Sequence, residues 1–140
     1  MDKKEILEFI AKNPVAFVAT SENNVPYVRA FGTYQADENG IIFSTQKAKD
    51  VYKQMVKNPE LEICYWADNV QIRVHGQMEP MEDMEFKKEL VEKRPFLKPQ
   101  VEQEGWDFVK VFKIKNARAT VLDMKGPPSP PGAPKEWIDL

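Results

Sequence analysis

Cysteine and histidine are almost missing from this chain, which has one of each, Cys64 and His75. A lone cysteine cannot close an internal disulfide, and its place in the apolar run Leu61 to Trp66 predicts a buried, reduced thiol. A lone histidine lacks the companions that a metal centre requires. Long apolar runs are absent too, since none approaches the ~20 residues that cross a bilayer. Met1-Asp2-Lys3-Lys4-Glu5 opens without the apolar stretch of a secretory signal, so the expected location is cytoplasmic. Excess charge of one sign is also lacking. With 20 Lys and Arg against 22 Asp and Glu, the formal net charge is -2, which argues against bulk nucleic acid or an acidic membrane as the main partner. A local basic cluster for a small anion remains compatible with that balance.

What is present suffices for one core, because 42% of the 140 residues are hydrophobic. Residues 2–12 place Ile6, Leu7, Phe9 and Ile10 on one side of a predicted helix, which Asn13-Pro14 ends. Val15 to Thr20, Val25 to Gln35 and Ile41 to Thr45 read as strands. Ser21 to Asn24 and Asp37 to Gly40 supply turns, so three consecutive strands predict an antiparallel meander. Lys49 to Lys57 carries Val51, Tyr52, Met55 and Val56 at helical spacing and stops at Asn58-Pro59. Leu61 to Ala67 and Val70 to Met81 predict a hairpin around Asp68-Asn69. In its second strand Val70, Ile72, Val74 and Gly76 alternate with Gln71, Arg73, His75 and Gln77. Glu82 to Lys93 predicts a solvated helix broken at Arg94-Pro95, and Trp106 to Leu122 predicts the last long strand. Five prolines crowd Gly126 to Pro134, which reads as an extended arm or disordered strap outside the core. The expected organisation is one domain over residues 1–125 followed by a proline-rich tail over 126–140.

The segment from Ile41 to Pro80 suits an anion-binding site. Ser44 and Thr45 end a strand, Lys47 and Lys49 follow within reach, and a helix then begins. Hydroxyls and ammonium groups beside a helix start match the acceptor oxygens and double charge of a phosphate monoester. Either lysine could supply the contact. Arg29 shares a strand face with Tyr27 and Phe31, where a guanidinium is costly unless an anion meets it. The competing role for Arg29 is a surface ion pair, and for Ser44 and Thr45 it is capping. Trp66 and Trp106 are expected to pack in the core or at an interface.

The order Phe43-Ser44-Thr45, Lys47-x-Lys49, a helix ending Asn58-Pro59, Tyr65-Trp66 and Gln71-Ile72-Arg73-Val74-His75-Gly76 resembles the FMN-binding split-barrel family typified by pyridoxamine 5'-phosphate oxidase. The upstream strand Pro26 to Gly32 also fits, with Arg29 where the family has an arginine for the flavin phosphate. The resemblance implies a mainly β, α+β fold: an antiparallel split β-barrel with flanking helices. It implies a homodimer with FMN at the subunit interface, bound by Arg29, Ser44, Thr45, Lys47 or Lys49, with Gln71 on the polar edge of the isoalloxazine. The implied function is an oxidoreductase passing electrons or hydride from a reduced nicotinamide to a small acceptor, as in the flavin-reductase-like and nitroimidazole-reductase-like relatives. Pyridoxamine phosphate itself is not the expected substrate, because the Arg-x-His motif of the longer oxidases is lacking. The alternatives are a non-catalytic flavin-storage module, or deazaflavin or haem on the same scaffold, with His75 as the one available axial ligand.

Overall fold

The computed structural model describes residues 1–140. Helix α1 (Lys3–Lys12) starts at a reciprocal cap, in which the Glu5 N–H donates to Asp2 Oδ1 at 2.9 Å and the Asp2 N–H donates to Glu5 Oε2 at 3.2 Å. It buries Ile6, Leu7 and Ile10. Strands β1 (Val15–Glu22) and β2 (Val25–Gly32) form a hairpin, as do β5 (Glu60–Ala67) and β6 (Val70–Pro80). The two-residue turns Asn23-Asn24 and Asp68-Asn69 have positive φ at both positions, the geometry that matches the twist of paired strands. Strands β3 (Gln35–Asp37) and β4 (Gly40–Gln46), helices α2 (Asp50–Lys57), α3 (Met84–Lys93) and α4 (Lys98–Glu104), and strands β7 (Val109–Asp123) and β8 (Ile138–Asp139) complete the chain. All strand pairs are antiparallel in the order β2-β1-β5-β6-β7-β4-β3, with β8 added to β7. The result is an α+β split β-barrel.

The predicted meander is corrected. The run Val25 to Gln35 is two strands, because its hydrogen bonds change partner at Thr33. The Thr33 N–H donates to Pro14 O at 2.8 Å, and the next N–H, of Tyr34, donates to Ile42 O at 2.9 Å. The chain is thereby handed from β1 to β4, and β2 and β3 end up at opposite ends of the strand order. The last long strand starts at Val109, after a 3-10 turn over Trp106–Phe108. A second 3-10 turn (Pro95–Leu97) and α4 fill a stretch with no predicted element. Gly126 to Pro134 forms no strand or helix, but Ile138 returns to pair with Ala119.

Two apolar cores lie on opposite faces of β4 and β7, which is why Ile41-Ile42-Phe43 reads as an unbroken apolar run. Inside the barrel Phe43 stacks on Phe112 at 5.5 Å between ring centroids, and Phe31 meets Phe43 edge-on at 5.8 Å. Outside it, Ile42, Val109 and Val111 pack against Leu90, Val91, Leu97 and Val101 from the helical segment. Trp106 joins this second cluster.

Buried Tyr65 shares a 2.8 Å hydrogen bond with Thr33, and burial holds its phenol proton well above the usual range. Its proton is held more tightly in the folded state, so the stability it contributes is fully present below the unfolded pKa of about 10 and is lost as pH rises from there through the higher folded pKa. Denaturant midpoints measured across this interval are expected to fall with pH, and to fall less steeply in Tyr65→Phe. No helix is long and apolar enough to cross a membrane, and no group of three or more His, Cys, Asp or Glu side chains is placed to hold a metal ion.

Candidate functional site

Where β4 ends and α2 begins, the chain leaves a cleft of about 240 Å³ whose walls include Arg29, Ser44, Thr45, Lys49, Arg94 and Phe96. Strand alternation sends Ser44 toward α3 and Thr45 toward the barrel interior, and both border the cleft because the strand terminates there.

Arg29 reaches the cleft from β2 and is anchored from behind. Its Nη1 donates to Thr20 Oγ1 at 2.7 Å and Val18 O at 3.3 Å, and its Nη2 donates to Gln54 Oε1 at 2.8 Å. The buried Thr20 hydroxyl also donates to Gln54 Oε1, at 2.6 Å. A guanidinium has five N–H donors, so the Nε–H and one Nη2 hydrogen stay free on one edge, the fork that fits two oxygens of an oxyanion. Burial pulls the Arg29 pKa down, and nearby Asp50 opposes that.

Arg94 is the residue that sequence reasoning missed. It stands at the C-terminus of α3, donates from Nη1 to Ser44 Oγ at 3.0 Å and from Nη2 to Gly32 O at 3.4 Å, and lies over the Tyr34 ring at 5.2 Å. Desolvation lowers its pKa as well. None of these hydrogen-bond acceptors is a carboxylate, so two guanidinium charges border one small cleft without neutralisation by a bonded acid. The only sequence signal was an arginine before Pro95-Phe96-Leu97, which reads equally well as a helix stop.

Thr45 is 6% exposed, and its hydroxyl is the one buried side-chain nitrogen or oxygen without a hydrogen-bond partner. Such an orphan costs about 1–3 kcal/mol. Lys49 is the N-cap residue of α2 and offers no side-chain cap, so first-turn N–H groups of that helix lack the partner a capping side chain would supply.

The structure therefore brings Arg29, Ser44, Thr45 and Lys49 together. Lys47 and Gln71 lie elsewhere. Lys47 pairs with Asp107 at 2.8 Å, and Asp107 also pairs with Lys110 at 2.6 Å. The hydrogen bonds from these two lysines hold the Asp107 carboxyl well below the usual carboxylate range. Gln71 lies on the outer face of the sheet, between Trp66 and Leu122 in the strand register. His75 on the same face pairs with Glu60 at 3.0 Å. Exposed Phe17, Val28, Trp66 and Leu122 put apolar side chains on this outer face, interleaved with Glu62, Arg73 and His75.

The donor set fits a phosphate monoester: two guanidinium groups, two hydroxyls, one ammonium and an uncapped helix start. At about 240 Å³ the cleft is smaller than the ~300–1,000 Å³ that encloses a whole drug-sized ligand. Its size suits the anionic end of such a ligand, and Phe96, 71% exposed, stands at its edge.

A family model described as pyridoxamine 5'-phosphate oxidase matches residues 2–119. No curated protein sequence matches the chain. Among solved structures, a NimC/NimA family protein from Clostridium acetobutylicum is 26% identical, with 99% of this chain and 93% of that one covered at a TM-score of 0.78. General Stress Protein 26 from Bacillus anthracis is 16% identical, covering 99% and 98%, with a TM-score of 0.70. A pyridoxamine 5'-phosphate oxidase-related, FMN binding protein from Nostoc punctiforme is 14% identical, covering 99% and 92%, with a TM-score of 0.61.

Proposed function

Because the chain belongs to the pyridoxamine 5'-phosphate oxidase family, we propose that its cleft holds the phosphate of FMN and that the protein is an FMN-dependent oxidoreductase. Bound there, flavin would supply the redox chemistry between a reduced nicotinamide and a small acceptor. The protein's own residues bind and orient. The free edge of Arg29 and the remaining donors of Arg94 take the phosphate oxygens, Ser44 and Thr45 donate their hydroxyls, and Lys49 adds charge at the mouth beside the start of α2. The fold likeness to an FMN binding protein supports this choice of ligand.

The second half of the site comes from a homodimer in this reading. Exposed Phe17, Val28, Trp66 and Leu122, with the Arg73–Glu62 pair among them, make a mixed face suited to a second copy of the chain. Gln71 sits in that face, where a site shared between subunits would receive its amide at the polar edge of the flavin. A shared site also accounts for a cleft too small to enclose the whole cofactor in one subunit.

The unpartnered Thr45 hydroxyl carries the reading, because a buried donor that costs stability persists where a ligand uses it. The test is FMN loading followed by desalting and absorbance, in the wild type and in Thr45→Val. The wild type is expected to retain flavin and to bleach anaerobically with a reduced nicotinamide. Thr45→Val is expected to be about 1 kcal/mol more stable without ligand and to bind FMN about tenfold more weakly. A protein that rejects FMN overturns the cofactor assignment, and one whose bound flavin no nicotinamide reduces overturns the proposed electron donor.

A further inference from the structure

A second cavity, of about 350 Å³, lies under the first turn of α3 and shares no lining residue with the anion cleft. Its size falls within the ~300–1,000 Å³ range of ligand pockets. One side is soft and apolar, formed by Met78, Met81, Met84 and Phe112. Unbranched thioethers of this kind adapt to irregular hydrocarbon shapes.

The other side carries charge, and nearly all of it is spoken for. Asp107 is held by Lys47 and Lys110. Asp83 caps α3 by accepting the Phe86 N–H at 3.1 Å. Glu82 stands exposed at the rim. Lys110 rests over the Tyr52 ring at 5.7 Å while bonded to Asp107. Lys87 is different. Its Nζ donates to the Trp106 carbonyl oxygen at 3.1 Å and has no carboxylate within ion-pair distance. Burial and the nearby Lys110 ammonium lower its proton affinity, and Asp107 and Glu82 oppose them from farther than ion-pair distance, so two ammonium groups lie close together beside an apolar chamber. An anion placed against Lys87 relieves that repulsion.

We propose that this cavity is a binding site for a small monocarboxylate with an apolar body, the carboxylate meeting Lys87 and the hydrocarbon lying against Met78, Met81 and Met84. A single negative charge fits better than a phosphate dianion. Only one ammonium lacks an acidic partner, and Asp107 and Glu82 repel additional negative charge. The apolar body follows from the methionine wall, which a fully polar anion would leave unfilled.

The full chain is titrated with phenylacetate, and separately with the smaller isovalerate, while the methionine methyl signals are followed by NMR. Phenylacetamide, similar in shape and uncharged, is the control. At least one acid is expected to shift the Met78, Met81 and Met84 signals saturably, and the amide to bind at least tenfold more weakly. Lys87→Gln keeps a donor for the Trp106 carbonyl and removes the charge. It is expected to weaken the acid at least tenfold and to leave FMN loading unchanged. Saturation by neither acid, equal binding of acid and amide, or an unaltered Lys87→Gln variant each overturns the proposal. Loss of FMN loading in Lys87→Gln overturns the independence of the two sites.

Discussion

Arg29→Ala is expected to weaken FMN by roughly 10- to 100-fold while leaving riboflavin, which lacks the phosphate, within about twofold of the wild type. The magnitude is that of one charge-assisted hydrogen-bonded contact, about 1.5–3 kcal/mol. The comparison is clean because the supports of Arg29 survive its removal. Thr20 and Gln54 keep their mutual 2.6 Å hydrogen bond, so neither is stripped of every partner, and circular dichroism should report an intact fold. Arg94→Gln should show the same preference for the unphosphorylated ligand with a smaller ratio, since glutamine retains a donor for Ser44. Equal weakening of FMN and riboflavin by Arg29→Ala would show that the guanidinium acts on the ring or on the fold, and would sink its assignment to the phosphate.

Gly76→Ala should cost about 3 kcal/mol or more, at or beyond the upper end of ordinary overpacking. A Cβ at Gly76 would lie 2.5 Å from Ile114 Cγ2 and 2.7 Å from Lys115 O. A side-chain methyl can turn aside, but a backbone carbonyl of a paired strand cannot move without disturbing its ladder. This is where β6 and β7 slip register, between His75 and Gln77, and the missing side chain is what lets the strands pass so closely. The measurement is the urea midpoint at constant m-value, and an unchanged midpoint would mean that β7 yields at little cost.

Gly76 also marks how far local pattern reaches. Alternation from Val70 to Gln77 identifies the strand and its two faces, but the sequence near Gly76 says nothing of the approach of Ile114, nearly forty residues later. The helices over 3–12 and 50–57 announced themselves by periodicity and Asn-Pro stops, and the one over 84–93 by its charged run and Arg-Pro stop, although the burial of Leu90 and Val91 corrects its expected solvated character. The break at Thr33 did not, because it depends on which distant carbonyl each N–H meets. The same divide runs through the cleft. Arg29, Ser44, Thr45 and Lys49 form a readable pattern around one strand end and one helix start. Choosing Lys49 over Lys47 required Asp107, sixty positions away, and Arg94 enters only because α3 is folded across the outer face of β4.

That folding gives the cleft mixed parentage. Arg29 and Thr45 belong to the barrel, whereas Arg94, Phe96 and Leu97 belong to the helical cover held down by the second apolar cluster. A ligand gripped by both arginines is a clasp between two separately packed bodies. Its binding free energy adds to the cost of lifting the cover by the mass-action rule, and not to the cost of fraying either body alone. On the proposed reading, the tightness of α3 would rise with ligand concentration, and the cover would gauge occupancy through ordinary packing.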